Sequence, residues 1–288
     1  MSTRYIFTVT AGRSGQNSLA DVVQRHVPDC LTLFEEPQIR PWTPRPFSHY
    51  ERLFRRRFVE TPELLGRGKV IQAFVAGDET ALERYARRRL AWIDRRVARA
   101  GARAYLDVSK YFVRGLHRPI ARLKPGLRLV RLVRDPILNM RSFLNRGKDI
   151  YLDNNRPDAA VNQLRLDPAV LEPGALYLWA WCEVYLRADA LADEFGLHPI
   201  VEIRTDELLD SAALARHLRA LGFETGPVDP GRPLNRNVSH GYAATQVSPK
   251  DIATFERFRD RLPAAALDRI TYLRGYDPRA THGVKGAA

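Results

Sequence analysis

Two short stretches of this chain carry residue types that bind anions when a fold brings them together. The first is Ala11-Gly12-Arg13-Ser14-Gly15-Gln16-Asn17-Ser18. Its glycines permit a tight turn and a close backbone approach to a ligand. A helix starting at its end offers free N–H groups and the positive end of a dipole. Ser14, Gln16, Asn17 and Ser18 add side-chain donors, and Arg13 adds charge. The second stretch is Leu129-Val130-Arg131-Leu132-Val133-Arg134-Asp135-Pro136, with Ser142 eight positions after Arg134. A guanidinium fork clamps a phosphate through two bonds while a hydroxyl fixes a remaining oxygen. Glu35 and Glu36, just before Pro37, are two adjacent carboxylates, a residue type that can accept a proton. Lys110 and Arg236, the latter between Gly231 and Gly241, are further cations in segments that read as loops.

These residues need elements to position them. Tyr5–Thr10, Ala104–Val108, Leu127–Val133 and Pro199–Ile203 read as buried strands, and Lys69–Phe74 as a further short one. Helical spacing covers Asn17–His26, Asp78–Ala100, Arg114–Leu123, Asp135–Leu144, Leu176–Phe195, Asp206–Leu221, Pro249–Arg261 and Ala264–Arg274. Asp78, Glu79 and Gly101 bound the second of these, and Pro136 suits the first turn of the fourth. Trp179, Trp181 and Tyr185 recur at helical spacing and are expected in the core. Residues 37–60, rich in proline, and 148–173 are expected as mobile excursions from one domain spanning 1–288. The alternation predicts an α/β protein with a P-loop-like three-layer fold, a central parallel sheet and helices on both faces. Ligands of such sheets bind at the carboxyl ends of the strands, where both anion motifs fall.

Composition narrows the partners. Hydrophobic content of 45% with 27% charged residues describes a globular chain of 288 residues. The net charge of +13 favours anionic ligands, although only six of the 46 basic residues are lysines, an arginine bias that a GC-rich genome also produces. Arg55-Arg56-Arg57 and Arg87-Arg88-Arg89 are expected on solvated helix faces. Aromatics do not interleave with them as on a base-stacking platform, so nucleic acid is not expected. No apolar run has membrane-spanning length, and the first residues lack the order of a signal peptide. Cys30 and Cys182 have no metal-ligand spacing, which points to a reducing cytoplasm.

The first motif is not that of a nucleoside triphosphatase, since Gln16-Asn17 stands where Lys-Ser/Thr is needed. Nor is a third glycine present for a dinucleotide. Arg13-Ser14-Gly15-Gln16-Asn17 instead resembles the 5′-phosphosulfate-binding loop of sulfotransferases, usually Arg/Lys-Ser-Gly-Thr-Thr. Val133-Arg134-Asp135-Pro136 with Ser142 is similar to that family's 3′-phosphate site. Glu35-Glu36-Pro37, Lys110, Leu221-Gly222-Phe223 and Gly275-Tyr276-Asp277-Pro278 look like landmarks of its bacterial carbohydrate and tyrosylprotein branches. The resemblance spans nearly the whole chain. It implies metal-free transfer of a sulfuryl group from 3′-phosphoadenosine 5′-phosphosulfate (PAPS) to a hydroxyl or amine of a small-molecule or glycan acceptor.

On that likeness Gly12 to Ser18, Arg134, Ser142 and Arg236 hold the nucleotide. Glu36 is the base, with Arg13 and Lys110 stabilising the leaving phosphate. Glu35, His26, His49 and His117 stay open as alternative bases. Thr205 stands where many relatives carry a tyrosine that reaches the adenine. Two other readings remain. One is a small-molecule kinase, with Asp107 as its magnesium-holding aspartate. The other is a nucleotide-binding relative without turnover, favoured by Gln16-Asn17.

Overall fold

The computed structural model describes residues 3–37, 47, 50, 51, 54, 62–147, 156–230 and 241–283. Arg236, His49 and Arg55-Arg56-Arg57 lie outside them, as does most of 37–60 and the first part of 148–173. The strands are β1 (Arg4–Val9), β2 (Cys30–Phe34), β3 (Ala104–Val108), β4 (Arg128–Val133) and β5 (Val201–Arg204). All pair in parallel, in the order β2-β3-β1-β4-β5. The helices are α1 (Gln16–His26), α2 (Lys69–Ala76), α3 (Glu79–Ala100), α4 (His117–Leu123) and α5 (Pro136–Leu144). They continue as α6 (Pro173–Phe195), α7 (Ser211–Ala220), α8 (Pro249–Arg259), α9 (Ala264–Arg269) and α10 (Pro278–His282).

Successive residues of each strand enter different cores. Ile6, Leu106, Val130 and Leu132 pack with α1 and α7 on one face. Phe7, Tyr105, Leu129 and Val133 pack with α3, α4 and α6 on the other. Covering both faces is why these strands read as unbroken apolar runs. Trp179, Trp181 and Tyr185 are buried in the second core, as expected.

Three expectations change. Lys69–Phe74 is not a strand but most of α2, whose Val70, Ile71, Ala73 and Phe74 are buried. Their i, i+1, i+3, i+4 spacing is helical, and the β-branched pair Val70-Ile71 obscures it over so short a segment. Cys30–Phe34, unassigned from the sequence, is β2, and its pairing with β3 supplies what its five residues do not announce. Arg89 leaves the solvated face expected of its run. Arg87 and Arg88 are exposed, whereas Arg89 falls in register with Leu82, Tyr85 and Ala86 and is 2% exposed.

Boundaries near the anion motifs follow from caps. Asp135 accepts from Leu138 N at 2.8 Å and starts α5, and Pro136 occupies its first turn. The described part of 148–173 is bonded to α6. Buried Glu183 accepts from Gln163 N (3.1 Å) and Leu164 N (2.7 Å), and Trp179 Nε1 donates to Leu164 O. Arg187 pairs with the same Glu183 one turn away.

Candidate functional site

Every strand delivers a residue of interest at its carboxyl end. Across that edge, in sheet order, come Glu35 and Glu36 after β2, Lys110 after β3, the 11–18 loop after β1, Arg134 after β4 and Thr205 after β5. Neighbouring strands lie about 4.8 Å apart, so acid, lysine, anion loop and arginine form one row.

The loop's peptide groups are held in a fixed sense. Gly12 (φ 84°), Arg13 (φ 58°) and Gly15 (φ 83°) all adopt left-handed backbone, a cost for Arg13 that surrounding bonds must offset. Three successive carbonyls accept side-chain donors from later in the chain. Asn139 Nδ2 on α5 reaches Gly12 O at 2.7 Å, Arg134 Nη1 reaches Arg13 O at 3.1 Å, and Thr205 Oγ1 reaches Ser14 O at 3.1 Å. In a trans peptide N–H and C=O point oppositely. The N–H groups of Arg13, Ser14 and Gly15 are therefore turned away from these donors. Gln16 to Ser18 follow as the first turn of α1, whose N–H groups have no intrahelical acceptor. Gln16, 7% exposed, carries a buried amide nitrogen with no hydrogen-bond partner, a donor that a phosphate oxygen would satisfy.

Gly15 has a second reason to be glycine. A Cβ there would meet Leu208 Cδ1 at 2.3 Å, so the close approach is to the turn after β5. Thr205, where many sulfotransferases carry a longer tyrosine, braces the loop through Ser14 O.

The cations converge. Arg13 Nε donates to Ser142 Oγ at 3.2 Å, joining the residue expected at the 5′ end of a nucleotide to the one expected at the 3′ end. Burial, with Arg146 and Arg134 nearby, lowers the Arg13 guanidinium to about 10. Burial also lowers Arg134, and Trp181 Nε1 holds its carbonyl at 3.0 Å. Like charges gathered this closely suit a multiply charged anion. Arg146 and Asn139 were not singled out in the sequence. Arg146 lies four residues after Ser142, its guanidinium 5.0 Å from the Tyr242 ring. The spacing from Ser142 was the available signal; for Asn139 it was an amide inside an otherwise apolar turn.

At the other end of the row, Lys110 Nζ pairs with Glu35 Oε1 at 3.0 Å. Arg67, Lys110 and Arg114 all lie within about 5 Å of the Tyr111 ring. Glu36 presents its backbone carbonyl to Arg89. Of the histidines, His117 is 5% exposed between Phe74 and Phe112. Burial, then Arg187 and Arg118, push it down to about 3, and it stands in the core rather than at the edge. His26 closes the far end of α1 from the loop and binds the Asp229 backbone. Asp107 Oδ2 accepts from both Arg89 and Tyr105 and is 4% exposed.

No family model matches the sequence, and no curated protein does. Two solved sulfotransferases resemble the chain. One is the sulfotransferase domain of the Synechococcus PCC 7002 olefin synthase, at 17% identity over 96% of this chain and 95% of that one, with a TM-score of 0.47. The other is a sulfotransferase from Alicyclobacillus acidocaldarius, at 15% identity over 97% and 99%, with a TM-score of 0.47.

Proposed function

We propose that the protein moves a sulfuryl group from PAPS to a hydroxyl or amine of a small-molecule or glycan acceptor. The observation that carries this reading is the row at the sheet edge: carboxylate, lysine, anion loop, arginine with serine. A donor with a 5′-phosphosulfate and a 3′-phosphate needs two anion subsites side by side, and an in-line displacement needs a base beyond the first. When bound, the donor supplies the sulfuryl group and a nucleotide phosphate as leaving group. The 11–18 loop would hold the phosphosulfate, with Gln16 Nε2 satisfied by it. Arg134 and Ser142 would hold the 3′-phosphate, with Arg146 close by. Glu36 takes the acceptor proton as the acceptor–sulfur bond forms and the sulfur–phosphate oxygen bond breaks. Lys110, oriented by Glu35, and Arg13 offset the charge that builds on the leaving oxygen. Arg236, outside the described residues, is proposed with the 3′-phosphate on the sequence likeness alone.

The kinase reading loses its aspartate. Asp107 is bound to Arg89 and Tyr105 inside the core, where magnesium bridging a triphosphate cannot be reached.

The test is differential stabilisation. 3′-Phosphoadenosine 5′-phosphate at ~100 times its dissociation constant adds about 2.7 kcal/mol by mass action, a clear rise in melting temperature. Magnesium ATP, lacking the 3′-phosphate, is expected to add far less. Equal rises with both nucleotides would defeat the proposal. Labelled PAPS offered with a panel of phenols, amines and sugars then identifies the acceptor, and binding without transfer to any would indicate a relative that has lost turnover.

A further inference from the structure

Arg89 is buried on the core face of α3, where an unpaired guanidinium is costly. Its Nη2 donates to Asp107 Oδ2 on β3 and, at 3.1 Å, to Tyr105 Oη. Tyr105 Oη donates to the same Asp107 oxygen at 3.0 Å. Trp92 lies 4.8 Å beneath the guanidinium. Its other arm leaves this triad. Nη1 donates to the backbone carbonyl of Glu36. A buried ion pair is a poor source of stability, and a well-packed apolar core of the same volume often does better. What the triad provides that an apolar core lacks is a charged donor at the core's rim, aimed at the turn. The turn is held on its other side too, where Glu35 N donates to Val108 O at 3.1 Å.

We infer that Arg89, backed by Asp107 and Tyr105, is a positioning residue that sets the Glu35 and Glu36 carboxylates relative to Lys110 and the anion loop. Arg89 reaches its targets from α3, and Asp107 and Tyr105 from β3, through side-chain bonds to the turn and to one another. The triad's influence is therefore confined to the acid end of the row. The role in turnover rests on the proposed sulfuryl transfer, while the anchoring of the turn does not.

The decisive variant replaces the triad together: Arg89→Met, Tyr105→Phe and Asp107→Leu. No buried charge is left unpaired, so the melting temperature is expected to equal or exceed that of the unaltered protein. Affinity for 3′-phosphoadenosine 5′-phosphate is expected within about twofold. Amide exchange of residues 34–36, followed by mass spectrometry, accelerates while that of 12–18 does not. With labelled PAPS and the acceptor found in the panel, kcat falls by about 10²-fold at unchanged donor KM, as a displaced catalytic group demands. Arg89→Lys is the second variant. It keeps a cation for Asp107 but cannot span both partners, and the same pattern is expected if the triple variant does not fold. Unchanged exchange at 34–36, unchanged kcat, or parallel loss of kcat and nucleotide affinity would overturn the inference. Failure of the sulfotransferase reading appears separately, as absence of stabilisation of the unaltered protein by 3′-phosphoadenosine 5′-phosphate.

Discussion

Arg134 has two duties that a sequence motif cannot separate, since its Nη1 braces Arg13 O and its guanidinium also sits among the site's cations. Arg134→Ala therefore removes a charge-assisted clamp and loosens the neighbouring loop. Affinity for 3′-phosphoadenosine 5′-phosphate is expected to fall ten- to hundredfold, about 1.5–3 kcal/mol, in calorimetry. The fold survives, because a half-buried side chain at a strand end is not core. The two glutamates divide in the same way. Glu35 pairs with Lys110, and Glu36 is the proposed proton acceptor. Glu36→Gln is expected to lower turnover by about 10²–10⁴-fold with donor binding intact. Glu35→Gln frees Lys110 from its partner and costs less. Steady-state assays of the pair assign the base, and near-full turnover of Glu36→Gln would move it to Glu35.

Among elements, the 11–18 loop shows how packing fixes the conformation of a short segment. Its carbonyls are pinned by donors from the β4–α5 connection, from α5 and from the end of β5, and its glycine at 15 makes room for Leu208. Gly15→Ala is expected to destabilise the protein by about 1–3 kcal/mol, since φ +83° is unfavourable for alanine and the added methyl overlaps Leu208. Leu208→Ala relieves the overlap but removes a buried leucine, so in chemical denaturation the two substitutions together should cost less than the sum of their separate costs. Strict additivity would mean that the added methyl does not meet Leu208.

For the molecule as a whole, the buried imidazole of His117 ties stability to pH. The unfolded chain takes up a proton near 6.5, whereas in the folded state burial among aromatic rings and arginines holds uptake off until about 3. Between these values the unfolded state binds more protons. Stability contributed by the neutral ring is thus complete above about 6.5 and is lost as pH falls toward 3. At pH 4 the loss is on the order of 3 kcal/mol. His117→Gln, which cannot titrate, is expected to narrow the stability gap between pH 7 and pH 4 by that order, measured by denaturant unfolding at both.

Much of this protein was legible from residue order alone. Alternating apolar runs announced a parallel sheet with two covered faces, because each strand must bury both sides. Asp135-Pro136 announced the start of α5, because capping chemistry is local. Gly12 to Ser18 and Arg134 with Ser142 stood out as candidate anion sites, because phosphate recognition needs few residue types at short spacing. What lay beyond reach depends on contacts far apart in sequence. Helical phase turned Arg89 inward while its neighbours Arg87 and Arg88 stayed in water, and only β3 supplies the Asp107 and Tyr105 that make its burial tolerable. Five residues of β2 became a strand because β3 was there to pair with them. Above all, the order β2-β3-β1-β4-β5 is a property of pairing, which chain order does not state. That order sets Glu35 beside Lys110, Lys110 beside the loop and the loop beside Arg134, and so turns four separate motifs into one row.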